Sequence, residues 1–394
     1  MISVSEAKKI IHSSVEPLQP TELLLQNAGG LRLAAEVIAQ IDIPAFPQSS
    51  VDGYAFSFKD WNHQNVLKIE GEVAAGDNKA RRIKNDSAIR IFTGAPVPPG
   101  ADTVVMQEKV TATNQSLKIE DEKLRTGSNV RPPGSEIRAG ETALAKGSYL
   151  SAAAIGFLAG MGISTVSVIP FPRVSIIVTG NELQQSGVPL NYGQVYESNS
   201  MMLTIALNRM HVLDVQVQHV RDNLQSLSQA LQDALDSSDL VLLVGGISVG
   251  DYDFVLRAAI NSEVASMFHK IKQRPGKPLY YGRKGKKLVF GLPGNPSSAL
   301  VCFYIYVMPA IQQMINMQTL SSPVYAQMGK TYSKDPGLTH FLKGFYDGKI
   351  ANPLNAQESY RLRSFAQANC LIQIEEETST SDQGRDVQIH LMPS

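Results

Sequence analysis

The chain has 394 residues, 43% hydrophobic and 18% charged, with 36 Lys+Arg against 36 Asp+Glu and a formal net charge of zero. At roughly 150 residues per domain this is material for two to four domains, and it is too apolar for a disordered chain. A neutral balance excludes the global positive field that attracts nucleic acid, so any anion site must be a local cluster.

In chain order, Ser3 with Glu6 three positions on forms a capping box and predicts a short helix. The segment Met1–Glu6 lacks the basic and long apolar parts of a signal peptide. Residues 21–40 look helical in places, with an interruption at Gly29-Gly30. From about 41 to 137, Pro44, Pro47 and short apolar runs such as Val66–Val73 and Ala88–Phe92 read as a β-rich domain. Two of its segments stand out. Ser49-Ser50-Val51-Asp52-Gly53-Tyr54-Ala55 carries an acid, although in isolation an Asp-Gly pair suits a hairpin turn equally. Ile91–Asp102 runs from a strand into Thr93 and then a Pro/Gly-stiffened loop. A small-residue helix is predicted over Ser151–Met161.

From 171 to about 320 the rhythm changes. Val174–Thr179, Val212–Val220 and Leu240–Val244 are strand candidates, and Asp222 is placed to cap a helix whose leucines at 224, 227, 231 and 235 share one face. Alternating strands and helices predict a doubly wound parallel sheet, whose ligands sit at the carboxyl ends of its strands. Three loops there carry chemistry. Val174–Thr179 leads into Gly180-Asn181-Glu182, which puts an acid at a strand end. Leu240–Val244 leads into Gly245-Gly246-Ile247-Ser248-Val249-Gly250-Asp251-Tyr252-Asp253. Its glycines (245, 246, 250) let backbone N–H groups approach phosphate, Ser248 adds a donor, and Asp251 and Asp253 suit a magnesium ion. The glycine spacing fits neither a Walker loop nor a dinucleotide fingerprint, and an ordinary tight turn is the competing reading. Phe290-Gly291-Leu292 leads into Pro293-Gly294-Asn295-Pro296-Ser297, a rigid loop that enters a helix. Before it, Lys270, Lys272, Arg274 and Lys277 place four cations in eight residues. Such a run is commonly a solvated face, but here it lies where an oxyanion pocket needs charge.

Cys302, in an apolar run of helical spacing, reads as a buried thiol, and two distant cysteines make neither a disulfide framework nor a zinc site. The apolar run ending near Met308-Pro309 falls short of the roughly 20 residues that span a bilayer. A cytoplasmic protein without a membrane partner is the expectation. Beyond 321, Phe341–Tyr346, an Asp347-Gly348 type I′ turn and Lys349–Ala351 predict a hairpin. With Leu371–Ile374 and Val387–Leu391 this makes a small β-barrel or sandwich, in which Glu375–Gly384 is an exposed loop.

The ordered set resembles the MoeA family, the molybdopterin molybdenumtransferases that include the gephyrin E domain. It comprises Asp52-Gly-Tyr-Ala, Thr93-Gly-Ala-Pro-Val-Pro-Pro-Gly-Ala-Asp102, Arg131-Pro-Pro-Gly-Ser-Glu136, Thr179-Gly-Asn-Glu-Leu183, Gly245-Gly-Ile-Ser-Val-Gly-Asp251, Pro275-Gly-Lys-Pro278 and Gly291-Leu-Pro-Gly-Asn-Pro296. The resemblance implies an elongated multidomain α/β-plus-β subunit. Residues 1–40 and 138–170 would form a helical linker region, 41–137 an inserted β domain, 171–320 the molybdopterin-binding α/β domain, and 321–394 the C-terminal β domain. It implies a homodimer with the active site between subunits, adenylylated molybdopterin and molybdate as substrates, Mg2+ as cofactor, and AMP as a product. A molybdopterin adenylyltransferase and molybdenum-enzyme maturation proteins would be partners.

By position, Asp52, Thr93, Glu182 and Asp253 are implied as catalytic, with Glu182, Asp251 and Asp253 as metal ligands. Lys270, Arg274, Lys277, Pro293, Gly294, Asn295, Pro296, Ser297, Lys343 and Ser364 join the glycine loop in binding the substrates. The chain departs from the family pattern where Arg274 replaces a lysine, Lys343 an arginine, Asn181 an aspartate and Glu136 a frequent aspartate. Arginine and lysine are not equivalent at a tight anion site, so oxyanion affinity and metal use are the properties these changes touch. A non-catalytic molybdopterin carrier or scaffold is the alternative reading, which tight binding without turnover would mark. An adenylyltransferase acting one step earlier is a third, which Mg-ATP consumption with free molybdopterin would mark.

Overall fold

The computed structural model describes residues 1–61, 66–77, 81–247, 254–316 and 324–393. The chain forms two compact units, one of Glu22–Gly29 and Leu33–Ser167, the other of Met1–Thr21, Gly30–Arg32 and Val168–Ser394.

The smaller unit is built on a six-stranded sheet in the order Thr103–Met106, Gly53–Phe56, Ser87–Ile91, Leu67–Val73, Ser116–Ile119, Val110–Ala112. Phe56, Ala88, Ile91, Val104 and Leu117 are wholly buried in its core, and Trp61 stands edge-on to Phe56 with ring centroids 5.7 Å apart. Gly53 lies on an inner strand, between Ile91 and Met106. A Cβ there would fall 1.8 Å from the Val105 carbonyl oxygen, so only glycine fits. Residues 21–40 form the short strands Thr21–Leu24, Arg32–Leu33 and Val37–Ile38 and one 3-10 turn, not the helical pieces expected. Gly30 takes φ +83°, and the stretches on either side are too short to nucleate a helix alone. The predicted small-residue helix is present as Ala152–Gly160, capped by the Ser151 hydroxyl accepting from the Ala154 N–H.

In the larger unit the capping box forms as read: Ser3 accepts from the Glu6 N–H, and the Glu6 carboxylate accepts from the Ser3 N–H. The helix that follows, Val4–Ser14, buries Val4, Ala7 and Ile11 in the core of an α/β sheet. The sheet order is Val215–Val220, Val174–Thr179, Leu240–Val244, Lys287–Leu292, Pro278–Lys284, Ala265–Lys270. Helices cover both faces. Leu203, Leu207 and Val301 pack with Ile176, Leu242 and Phe290, while Leu227, Leu231 and Val255 pack with Ile177, Val241 and Leu243. Alternate side chains of each strand therefore meet opposite helix layers, which is why the central strands read as unbroken apolar runs.

Two expectations are corrected here. The sheet is parallel only through its first four strands; its last two are antiparallel. A turn closed by Gly285 at φ +59° joins Pro278–Lys284 to Lys287–Leu292, far too short for a parallel crossover. The cap of helix Leu224–Ser237 is Asn223, accepting from the Ser226 N–H, so the Asp222 side chain is left for another task.

The C-terminal strands Val324–Met328, Thr339–Tyr346, Ile350–Pro353, Cys370–Ile374 and Asp386–Leu391 close into a five-stranded barrel. Between the second and third, only Gly348 has positive φ, so the turn is not type I′. The Asp347 carboxylate holds it instead, accepting from the Lys349 and Ile350 N–H groups at 2.9 and 2.8 Å. The 375–384 stretch is largely exposed but ordered by the short strand Thr380–Ser381 and the Lys272–Glu376 ion pair at 2.7 Å. Among the described residues no helix is long and apolar enough to cross a membrane.

Gly53→Ala is expected to destabilise the protein by about 2–3 kcal/mol, the scale of overpacking a closed core. Urea unfolding with an unchanged slope and a lowered midpoint is the measurement that checks it.

Candidate functional site

The parallel strands of the α/β sheet deliver their loops to one edge. Gly245, at φ +84°, donates its N–H to the Leu292 carbonyl at 3.3 Å, and a Cβ on it would lie 2.4 Å from the Thr179 carbonyl oxygen. Gly294 approaches from the other side, 3.7 Å from the Gly245 Cα to its would-be Cβ. The ends of Val174–Thr179, Leu240–Val244 and Lys287–Leu292 therefore meet around one residue without a side chain. In the sheet the first of these strands lies between Val215–Val220 and Leu240–Val244, the two of its strands that come next in the chain, so the strand order reverses here, at the topological switch point where doubly wound sheets take ligands.

Asp222, missed as a candidate by the sequence reading, stands at this edge. Its Oδ1 accepts from the Thr179 hydroxyl at 2.8 Å and lies 3.6 Å from the would-be Cβ of Gly246. Its N–H donates to the Asn181 side-chain oxygen at 3.3 Å. An aspartate at 181 would accept the same bond, so the asparagine keeps the local structure and removes a charge. Glu182 is exposed, with Oε2 folded back to 3.0 Å from where a Gly180 Cβ would sit. The only hint of Asp222 in the sequence was its place just past a strand end.

The Pro293–Pro296 loop is tied in from three directions. Asn199 Nδ2 donates to the Gly294 carbonyl at 2.8 Å, Asn295 Nδ2 donates to the Ser359 hydroxyl at 3.2 Å, and Pro296 begins the helix Pro296–Cys302. Ser297 is wholly buried, and its hydroxyl has no partner among the described residues. The Arg274–Lys277 turn packs on the same helix through Gln273. The Gln273 amide donates to the Pro275 and Gly276 carbonyls at 3.0 and 3.1 Å and accepts from the Tyr306 hydroxyl. A Cβ on Gly276 would meet Cys302 Sγ at 2.6 Å, so the turn sits directly on the helix. Cys302 itself is buried, and burial pushes its thiol up to about 12. Lys270, Arg274 and Lys277 have no ion-pair partner among the described residues. Arg274 leans toward the barrel, where burial, then Lys334 and Arg274, pull His340 down to about 4.

Lys343 and Ser364, which the resemblance implied as substrate contacts, both bond to one loop. Lys343 is 1% exposed, and its ammonium donates to the carbonyls of Ala356, Glu358 and Arg361 at 2.7, 3.3 and 3.0 Å. Ser364 donates to the Ala356 carbonyl at 2.8 Å, and Gln357 bonds both the N–H and the carbonyl of Lys343. All three ammonium donors are thereby committed to one loop, residues 354–364. That loop reaches the Pro293–Pro296 loop through Ser359 and presents Arg361 and Arg363 to solvent. Burial draws the Lys343 ammonium below the usual lysine value.

In the smaller unit, Asp52 and Thr93 form one group. Asp52 Oδ1 accepts from the Thr93 N–H at 2.8 Å and the Thr93 hydroxyl at 2.9 Å, and these two donors hold the carboxyl below the usual aspartate value. Arg90, also unforeseen from sequence, lies beside them with its guanidinium 5.1 and 5.2 Å from the ring centroids of Tyr54 and Phe92. Asp102 is structural, accepting from the Phe58 N–H at 2.9 Å. Ser248, Gly250, Asp251 and Asp253 lie outside the described residues. Among the described residues no group of three or more His, Cys, Asp or Glu side chains is arranged to hold a metal.

Comparison with known proteins follows the same outline. Residues 2–162 match the MoeA N-terminal region (domain I and II), 175–313 the probable molybdopterin binding domain, and 325–392 the MoeA C-terminal region (domain IV). The chain is 32% identical to a molybdopterin molybdenumtransferase of Haemophilus influenzae, covering 99% of this chain and 98% of the relative. It is 31% identical to one from Nostoc, covering 100% and 94%. A crystal structure of the molybdopterin biosynthesis MoeA protein from Pyrococcus horikoshii matches with a TM-score of 0.83 at 27% identity, covering all of both chains.

Two outcomes follow from this geometry. Lys343→Met should lower stability by about 3 kcal/mol, since it removes charged hydrogen bonds to buried carbonyls. It should also speed hydrogen exchange across 354–364 with no substrate present, whereas a residue serving only as a ligand would leave that protection unchanged. Thr93→Val should raise the Asp52 titration point toward the ordinary 3.8, read by carboxyl NMR. Because the folded value is the depressed one, the stabilisation from this pair is complete above that ordinary value and lost as pH falls through the folded one.

Proposed function

Because the chain belongs to the MoeA family of molybdopterin molybdenumtransferases, enzymes of molybdenum cofactor biosynthesis, we propose that it inserts molybdenum from molybdate into adenylylated molybdopterin. The adenylate is hydrolysed with Mg2+, and molybdenum cofactor and AMP are released. The protein works in the cytoplasm as a homodimer with its active site between subunits, receiving substrate from a molybdopterin adenylyltransferase and passing cofactor to maturation proteins. In this reading 1–40 and 138–170 are the linker region, 41–137 the inserted β domain, 171–320 the substrate-binding α/β domain and 321–394 the C-terminal domain.

The observation that carries the proposal is the meeting of three strand ends at Gly245. With no side chains at 245 and 246, a phosphate can approach backbone N–H groups, and the stiff Pro293–Pro296 loop holds the opposite wall. Asp222 is oriented by Thr179, and its second oxygen accepts nothing from the described residues. Together with Glu182 it offers the hard oxygen donors that suit Mg2+, an ion that keeps several waters and needs only one or two carboxylates. Bound there, the ion would neutralise charge on the phosphates during hydrolysis. Lys270, Arg274 and Lys277, with Ser297, supply cations and a hydroxyl for the oxyanion. Asp52, whose carboxylate Thr93 holds below the usual aspartate value with two donated bonds, is suited to orient water or a substrate hydroxyl.

The test is AMP release from adenylylated molybdopterin with Mg2+, with molybdate and tungstate in parallel. Release that depends on both Mg2+ and an oxyanion is expected, and intact nucleotide at high molybdate would refute the reading. Glu182→Gln should lower the rate on the order of 100-fold or more with the thermal midpoint unchanged. A non-catalytic carrier is the second reading. The Lys343 ammonium favours it, being committed to backbone carbonyls where the family pattern has an arginine. Tight pterin binding without AMP release would establish that alternative.

A further inference from the structure

Among the described residues two buried polar atoms beside the Pro293–Pro296 loop have no hydrogen-bond partner, Asn199 Oδ1 and Ser297 Oγ. Asn199 is only 7% exposed. It sits at the start of helix Asn199–Asn208, where the Glu197 carboxylate accepts from the Ser200 N–H at 2.9 Å and from the Ser200 hydroxyl, fixing the first turn. The Asn199 amide nitrogen is spent on the Gly294 carbonyl at 2.8 Å. Turning the amide over would set two acceptor oxygens face to face, so this orientation is the favoured one. What remains is an oxygen that can only accept, held next to a loop of the candidate site. Leaving such a group unpaired costs about 1–3 kcal/mol.

The chemistry of that oxygen limits what it can meet. Molybdate and ionised phosphate offer no donor and would repel it, whereas the Ser297 hydroxyl can donate to either. The two orphaned groups thus differ in the ligand atoms they suit. We propose that Asn199 is a specificity-determining residue whose side-chain oxygen accepts a hydrogen bond from an exocyclic amino group on the bound substrate, so that this part of the site reads a heteroaromatic amino edge and not the oxyanion. The inference rests on the molybdopterin reading above. That substrate has two exocyclic amino groups, the 2-amino group of the pterin and the 6-amino group of the adenine.

Two matched pairs of probes separate the sources. Pterin is compared with lumazine, in which a carbonyl replaces the 2-amino group, and AMP with IMP, in which a carbonyl replaces the 6-amino group. Binding is measured by calorimetry to the full chain and to Asn199→Ala, with thermal midpoints recorded for both. The wild-type protein should prefer the amino member of one pair by roughly tenfold or more, because the oxo member sets acceptor against acceptor. Asn199→Ala should bring that ratio close to one. Preference for pterin assigns the pterin edge, and preference for AMP assigns the adenine. If the wild type binds both members of each pair equally, the inference is overturned without any variant and the molybdopterin reading stands. A preference that survives in Asn199→Ala also overturns it. Failure of all four probes to bind refutes the molybdopterin reading together with the inference.

Discussion

Glycine 245 sets the constraint on which the α/β half of this protein depends. Three strands can bring their carboxyl ends together only if the residue at the junction has no side chain, because the Thr179 carbonyl occupies the place of its Cβ and the Leu292 carbonyl takes its N–H. With that space kept clear, the turn after Val174–Thr179, Gly245-Gly246 and the Pro293–Pro296 loop become neighbours. Asp222, Asn181 and Asn199 then find partners among them. The apolar strands beneath, buried on both faces, supply the rigidity that makes so close an approach reproducible.

Much of the polar chemistry in this unit holds loops in place and is not turned toward a ligand. Gln273 spends its whole amide on the Arg274–Lys277 turn and on Tyr306, and Lys343 spends a full charge on the 354–364 loop. A buried ammonium is tolerated because three carbonyls replace its water. The result is that the barrel touches the site through a loop, by Ser359 on Asn295, while Lys343 itself lies behind it. Exchange of arginine and lysine between positions 274 and 343 fits this division. The long exposed guanidinium stands at the turn, and the compact ammonium fits inside the loop.

In the smaller unit the same economy appears in miniature. Gly53 lets its strand close against Val105, which sets the neighbouring Asp52 at the strand entry, where Thr93 supplies two donors to one carboxylate oxygen. Arg90, spread against Tyr54 and Phe92, adds a cation beside that carboxylate.

Elements with strong local signals were legible in the sequence. The capping box at Ser3, the strands Val174–Thr179 and Leu240–Val244 and the buried thiol of Cys302 all depend on residues close together in the chain or on composition. The glycine and proline loops were legible as well, since their backbone demands are local. What could not be read was which polar groups face one another. Asp222 looked like a helix cap until Thr179 was seen to hold it, 43 residues away, and Asn199 meets Gly294 across 95 residues. The antiparallel edge of the sheet and the inward turn of Lys343 belong to the same class. Periodicity reports which face of an element is buried, and so the sequence by itself determined the layers, the family resemblance and the candidate loops. The choice of partner for each buried donor and acceptor depends on distances between segments far apart in the chain, and only the tertiary structure decided it.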